Sequence, residues 1–160
     1  MFDLHHHLKR AHGLLGQLEQ GAFFPALLVR LYLGYFFFET GIGKVQNLDL
    51  MTERFIEWGI PFPAFNAALS GYTELIGGAL LLLGLATRAV CVPLFINMVV
   101  AVLSVKLAAV TSLSDFVELD EPLYALSFMW LFFRGPGPVS LDHLLWNMLQ
   151  RTRGLIPATV

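Results

Sequence analysis

Four apolar runs, each closed by charge or by Gly/Pro, constrain this chain more than any other feature: about residues 23–43, 63–86, 89–110 and 116–134. A helix needs roughly 20 apolar residues to cross a bilayer core. The first three runs reach that alone. The apolar part of the fourth, Pro122–Phe133, needs Phe116–Leu119 in front of it. Backbone groups in lipid must be satisfied within the segment or by a closed barrel. The runs are rich in Leu, Ala and Phe and show no strand-like alternation, so helices are expected. Only 14 % of residues are charged, against roughly 25 % in soluble domains. The expected fold is all-α: an integral membrane four-helix bundle over residues 23–134, in contact with a lipid bilayer and open to homo-oligomer formation.

Charge predicts the orientation. With the N-terminus inside, Lys9, Arg10, Arg88, Arg134, Arg151 and Arg153 all fall on the cytoplasmic side. Asp49, Glu53, Glu57, Asp115, Glu118, Asp120 and Glu121 fall outside, with Lys44 and Arg54. That is a positive-inside pattern with both termini cytoplasmic. The flanks, residues 1–22 and 135–160, read as short amphipathic interfacial helices. Leu8, Leu15 and Leu18 share one face of the first. In the second, Ser140 is placed to N-cap a helix whose Leu141, Leu144, Leu145, Met148 and Leu149 form an apolar face beside Trp146.

Charges inside the runs are the candidate functional residues. A carboxylate near the bilayer centre costs roughly 2.5–3.5 kcal/mol or more, so Glu74 must be paired, protonated or useful. At 100° per residue, Arg30, Gly34, Phe37, Gly41 and Lys44 share a face of the first run. Ala67, Ser70, Gly71, Glu74, Gly77 and Gly78 share one in the second, where small residues permit close helix contact. Pro93, Asn97, Ala101, Ser104 and Ala108 share one in the third. Counting 1.5 Å per residue from the cytoplasmic end puts Arg30 about 10 Å deep, Asn97 about 14 Å and Glu74 about 18 Å. These depths predict an Arg30–Glu74 ion pair with Asn97 as its hydrogen-bonding neighbour. Such a site could bind a quinone, an ion or a small substrate, or relay protons; equally, the pair could only fix helix register. Glu39, on the opposite face with Tyr32 and Tyr35, is expected either to pair with Lys106 at a second interface or to snorkel outward as Lys106 does. Lys44 reads as an anchor at the membrane surface. His5, His6, His7 and His12 form an N-terminal cluster able to ligate a metal, without a fixed ligand spacing.

Several classes are excluded. A net charge of −2 argues against nucleic acid as a partner. One cysteine, Cys91, cannot supply the pair that a thiol–disulfide enzyme needs. There is no Ser/His/Asp arrangement, phosphate-cradling loop or zinc spacing.

Taken in order, Leu28-Val29-Arg30-Leu31, Gly34, Gly41, Lys44, Gly59-Ile60-Pro61-Phe62-Pro63, Glu74-Leu75-Ile76-Gly77-Gly78, Leu83 to Arg88, Met98, Ala101, Glu121, Gly135-Pro136-Gly137 and Ser140-Leu141-Asp142 resemble the DoxX family of small four-helix membrane proteins. The resemblance covers about Leu27 to Leu145. It implies a bacterial cytoplasmic-membrane protein linked to redox chemistry. The family is named for a subunit of a thiosulfate:quinone oxidoreductase, and some members resemble membrane partners of superoxide dismutase and a sulfurtransferase. By that resemblance the cofactor would be a quinone, the partner a membrane or cytoplasmic redox protein, and the context oxidative stress. The family's Arg, Glu and Gly-Gly positions match Arg30, Glu74 and Gly77-Gly78. Its third acidic position is met by either Glu118 or Glu121. The histidine cluster lies outside the pattern. Without metal, haem or flavin motifs, the chain would act as a subunit of an oxidoreductase and not as a self-contained enzyme. A transporter for a small solute, a sulfur species or a metal, and a non-catalytic membrane scaffold, are the alternatives.

Overall fold

The computed structural model describes Gly21 and residues 23–152; the regular structure among these is all helical, with no strand. In order the helices are α1 (Phe23–Gln46), α2 (Leu48–Glu57), α3 (Pro63–Leu83), α4 (Thr87–Ala101), α5 (Leu113–Val117), α6 (Asp120–Arg134) and α7 (Leu141–Thr152). Beyond Ala101, α4 continues as a π turn (Val102–Lys106) and a 3₁₀ turn (Leu107–Ala109).

Among the described residues, three helices are long and apolar enough to cross a membrane: α1, α3 and the continuous stretch Thr87–Ala109. Their outward faces carry exposed Leu31, Tyr35, Ile76, Ile96 and Leu103, as a lipid-facing surface requires. The expected fourth span over 116–134 is not one helix. The chain breaks at Glu118–Leu119, and α6 has 15 residues. At 1.5 Å per residue that is about 22 Å, short of a full hydrocarbon core. The break follows a capping box in which Ser112 and Asp115 satisfy each other's backbone N–H groups, committing Leu113–Val117 to its own short helix. Hydrogen bonds from the Thr111 hydroxyl and backbone, then from Ser112, hold the Asp115 carboxyl well below the usual carboxylate range.

The other boundaries shift for local reasons. α1 runs on to Gln46, past the apolar run. α3 stops at Leu83, not Ala86, because Gly84 turns left-handed (φ 64°) and the Leu85 N–H closes back on Leu80 O. α4 correspondingly starts earlier, at Thr87. α2 was not visible as an apolar run; it is amphipathic and buries Met51 and Phe55 against Ala67 and Ile60. The N-terminal 1–22 helix lies outside the described residues apart from Gly21.

The core is a column of Leu33, Phe37, Leu81, Leu94, Phe128 and Leu131 from α1, α3, α4 and α6. The tightest contact is α1 against α3, and two glycines set it. A Cβ on Gly41 would collide with the backbone of Leu75 and Glu74; one on Gly78 would collide with the backbone of Phe38 and Gly34. The two backbones therefore touch at two levels, and the register between these helices has no slack.

Candidate functional site

The glycine seam decides which charges meet. Gly41 lies level with Leu75, so Lys44, one turn further along α1, arrives beside Glu74. The Gly71 position, on the same turn of α3, packs on the Lys44 Cβ. Arg30 is eleven residues before Gly41 and so about 16 Å along α1 from that level. The structure therefore replaces the expected Arg30–Glu74 pair with Lys44–Glu74, Nζ to Oε1 at 2.5 Å. Counting depth from helix ends failed because it took α1 and α3 to start level, whereas α1 projects past the end of α3.

Asn97 and Glu74 do meet: Asn97 Nδ2 on α4 donates to the same Oε1 at 2.8 Å. Glu74 is 2 % exposed, whereas the Lys44 side chain is 27 % exposed. Glu74 Oε2 is fully buried and has no hydrogen-bond partner among the described residues. Three helices thus converge on one carboxylate. One of its oxygens receives two donors and the other none.

This cluster lines a cavity of about 1090 Å³ bounded by α1, α2, α3, α4 and α6. Its walls include Phe36, Phe37, Met51, Phe55, Trp58, Met98 and Tyr124, and its other polar groups include Asn47, Arg54, Ser70, Thr73 and Ser104. Lys106, Asp120 and Glu121 also line it, and Lys106 Nζ pairs with Glu121 Oε1 at 3.3 Å. The expected Glu39–Lys106 pair is not formed. The π turn presents Lys106 towards α6, while Glu39 stands exposed on the outer face of α1 with Tyr32 and Tyr35. Arg54 of α2 and Trp58 at its C-terminal end carry no signal as part of an apolar run. The period-4 spacing Asn47, Met51, Phe55 was the signal that could have found them.

Arg30 serves elsewhere. It is buried and donates from Nη1 to Pro136 O and from Nη2 to Val139 O at 2.7 Å, gripping the loop between α6 and α7. At the same end Asp142 accepts from Ala86 N (2.8 Å) and Thr87 N (3.2 Å) and donates its own N–H to Gly84 O (3.0 Å). It caps the start of α4, which has no cap of its own. Ser140 Oγ meanwhile accepts from His143 N at 3.1 Å and starts α7. Two segments fifty residues apart in sequence, Gly84–Arg88 and Gly135–Asp142, thus close into one joint. Replacing Arg30 by Met strips donors from two carbonyls, and is expected to cost about 3 kcal/mol. Thermal unfolding in detergent checks this, with Asp142→Ala expected to cost about 1 kcal/mol.

Gly34, Gly71 and Gly77 all face neighbouring helices: Leu82, Lys44 with Val45, and Leu94 respectively. His5, His6, His7 and His12 lie outside the described residues. Among those described, no three His, Cys, Asp or Glu side chains gather into a metal-ligating group.

Compared with known proteins, residues 26–107 match the family model described as DoxX. That stretch contains Lys44, Glu74 and Asn97, and ends before α6. The chain is 36 % identical over 131 residues to "Uncharacterized membrane protein Rv3486" of Mycobacterium tuberculosis (strain ATCC 25618 / H37Rv), covering 74 % of this chain and 80 % of that protein. It is 39 % identical over 83 residues to "Putative oxidoreductase CatD" of Bacillus subtilis (strain 168), covering 52 % of this chain and 60 % of that protein. No solved structure matches.

Proposed function

The chain belongs to the DoxX family and is a bacterial membrane protein, and from that premise we propose that it is the quinone-linked membrane component of a redox system. The observation that carries this reading is the cavity. It joins aromatic and methionine walls to a buried, charge-paired carboxylate. A quinone needs both: flat apolar surfaces for the ring and a few placed polar groups for its oxygens. Lys44 Nζ spends one N–H on Glu74 and keeps others for a ring oxygen. Asn97 stands beside it, and Phe55 of α2 and Trp58 just past its end line another wall of the cavity. A quinone bound there would supply the two-electron chemistry; this chain's residues bind and orient its ring and exclude water from it. The name of the Bacillus relative, "Putative oxidoreductase CatD", agrees with this reading. Electrons would come from a separate redox protein.

Saturable binding of a decyl-tailed benzoquinone to the detergent-solubilised protein tests it, read by quenching of Trp58 fluorescence in a variant lacking Trp130 and Trp146. Wild type should bind, and Asn97→Leu should bind at least tenfold more weakly. Absence of saturable binding of both this quinone and its quinol, or equal binding by the variant, would remove the proposal. Transport is less well supported, because the packed column of Leu33, Leu81, Leu94, Phe128 and Leu131 continues the bundle away from the cavity.

The orientation belongs to the same proposal: both termini cytoplasmic, with the cavity opening outward beside α2. In a Cys91→Ser background, an impermeant thiol reagent added to intact spheroplasts should label Glu57→Cys. It should label His143→Cys only after permeabilisation. The opposite pattern would invert the topology.

A further inference from the structure

Glu74 is an unevenly served carboxylate. Its Oε1 accepts from both Lys44 Nζ and Asn97 Nδ2, while Oε2 is buried and finds no donor among the described residues. Buried acceptors are rarely left without a donor, and one so left carries a desolvation cost. The residue lines the cavity proposed to hold a quinone-type ring, so the missing donor can come from the ring itself. We propose that Glu74 makes this cavity selective for the hydroxyl-bearing form: a benzoquinol whose O–H donates to Glu74 Oε2 while its oxygen accepts from Lys44 Nζ.

The two oxidation states differ in this one respect. A quinol oxygen both donates and accepts; a quinone oxygen only accepts. Set between Lys44 and Glu74, a quinol oxygen satisfies both neighbours. A quinone oxygen satisfies Lys44, but turns its lone pairs on those of Oε2 and leaves that oxygen unserved. A site built around a hydrogen bond to a substrate hydroxyl rejects analogues that lack it far more strongly than an apolar pocket rejects a change of size. The inference rests on the quinone-type reading of the cavity and adds to it the redox form preferred and the atom that selects it.

The same geometry makes a sharper statement about Glu74→Gln. The Lys44 ammonium and the Asn97 amide both need an oxygen, so the glutamine turns its carbonyl to them and its NH₂ to the place of Oε2. An acceptor becomes a donor, and the preference should invert.

The experiment is equilibrium binding, under argon, of three probes of one shape: a decyl-tailed benzoquinol, its quinone and its dimethyl ether. Wild type is expected to bind the quinol at least tenfold more tightly than the other two. Glu74→Gln is expected to bind the quinone more tightly than the quinol. Equal binding of all three probes to wild type overturns the selectivity and leaves the quinone-type reading intact, and this comparison needs no variant to fold. A quinol preference that Glu74→Gln leaves unchanged, in protein of wild-type helicity, also overturns it. Failure of every probe to bind takes down both readings.

Discussion

Lys44→Met is expected to destabilise the folded protein by about 3 kcal/mol, because it leaves Glu74 as a buried charge without its ionic partner. The effect is directional. Glu74 is 2 % exposed, whereas the Lys44 side chain is 27 % exposed and sits near the end of α1. Removing the acid instead, as Glu74→Gln, frees a lysine that can extend outward, and is expected to cost about 1 kcal/mol. The double variant Lys44→Met/Glu74→Gln buries no charge and should recover most of the loss, since apolar replacements of buried pairs are often neutral or better. Thermal or denaturant unfolding of the four proteins in one detergent gives the cycle. Equal costs for the two single variants would contradict the buried pair. So would an Arg30→Met cost that is rescued by Glu74→Gln, because the structure places those two residues in separate networks.

The second large effect concerns the seam. Gly78→Ala or Gly41→Ala sets a methyl group against the backbone of the facing helix, which has no rotamer to yield. Either change is expected to cost about 3 kcal/mol or more, at the upper end of overpacking losses. Gly43→Ala is the matched control. It lies in the same helix, two residues from Gly41, and its Cβ would meet nothing within 4 Å. An exposed helical glycine replaced by alanine gains about 1 kcal/mol of helix propensity. The measurement is the unfolding midpoint of the three variants. A loss at Gly43 equal to that at Gly41 would show that close contact across the seam does not govern these positions.

These two experiments also mark what the sequence could and could not show. Helix content and membrane residence were legible because they depend on local composition over about 20 residues. Glu74 and Asn97 could be brought together because each lies mid-helix on a face of small residues, and facing is a local property. The partner of Glu74 was not legible in that way. Lys44 and Arg30 share a face of α1, and the choice between them turns on an axial offset between α1 and α3. That offset is set by backbone contacts at Gly41 and Gly78, which no count from helix ends contains. α2 escaped because Asp49, Glu53, Arg54 and Glu57 interrupt its apolar residues, and its two buried side chains stand a turn apart. The Arg30 grip on the loop at Pro136–Val139 escaped because it joins positions more than a hundred residues apart. The Lys44–Glu74 pair and the Arg30 grip are long-range contacts between segments whose local signals were sound, whereas α2 lacked a clear local signal. The resemblance of ordered motifs to the DoxX family carried information that periodicity did not. Gly84–Arg88 and Gly135–Asp142, both among those motifs, are the two sides of one joint.

The central claim is that the cavity above Lys44, Glu74 and Asn97 receives a quinone-type ring. The most direct measurement is covalent mapping with a photoreactive short-tailed benzoquinone, followed by peptide mass spectrometry. Labels are expected on cavity-lining residues at the end of α2 and in α4, around Phe55–Trp58 and Ile96–Ala101, competed away by unlabelled quinol. Labels confined to the lipid-facing residues Leu31, Tyr35 and Ile76, or to α7, and not competed by quinol, would contradict it.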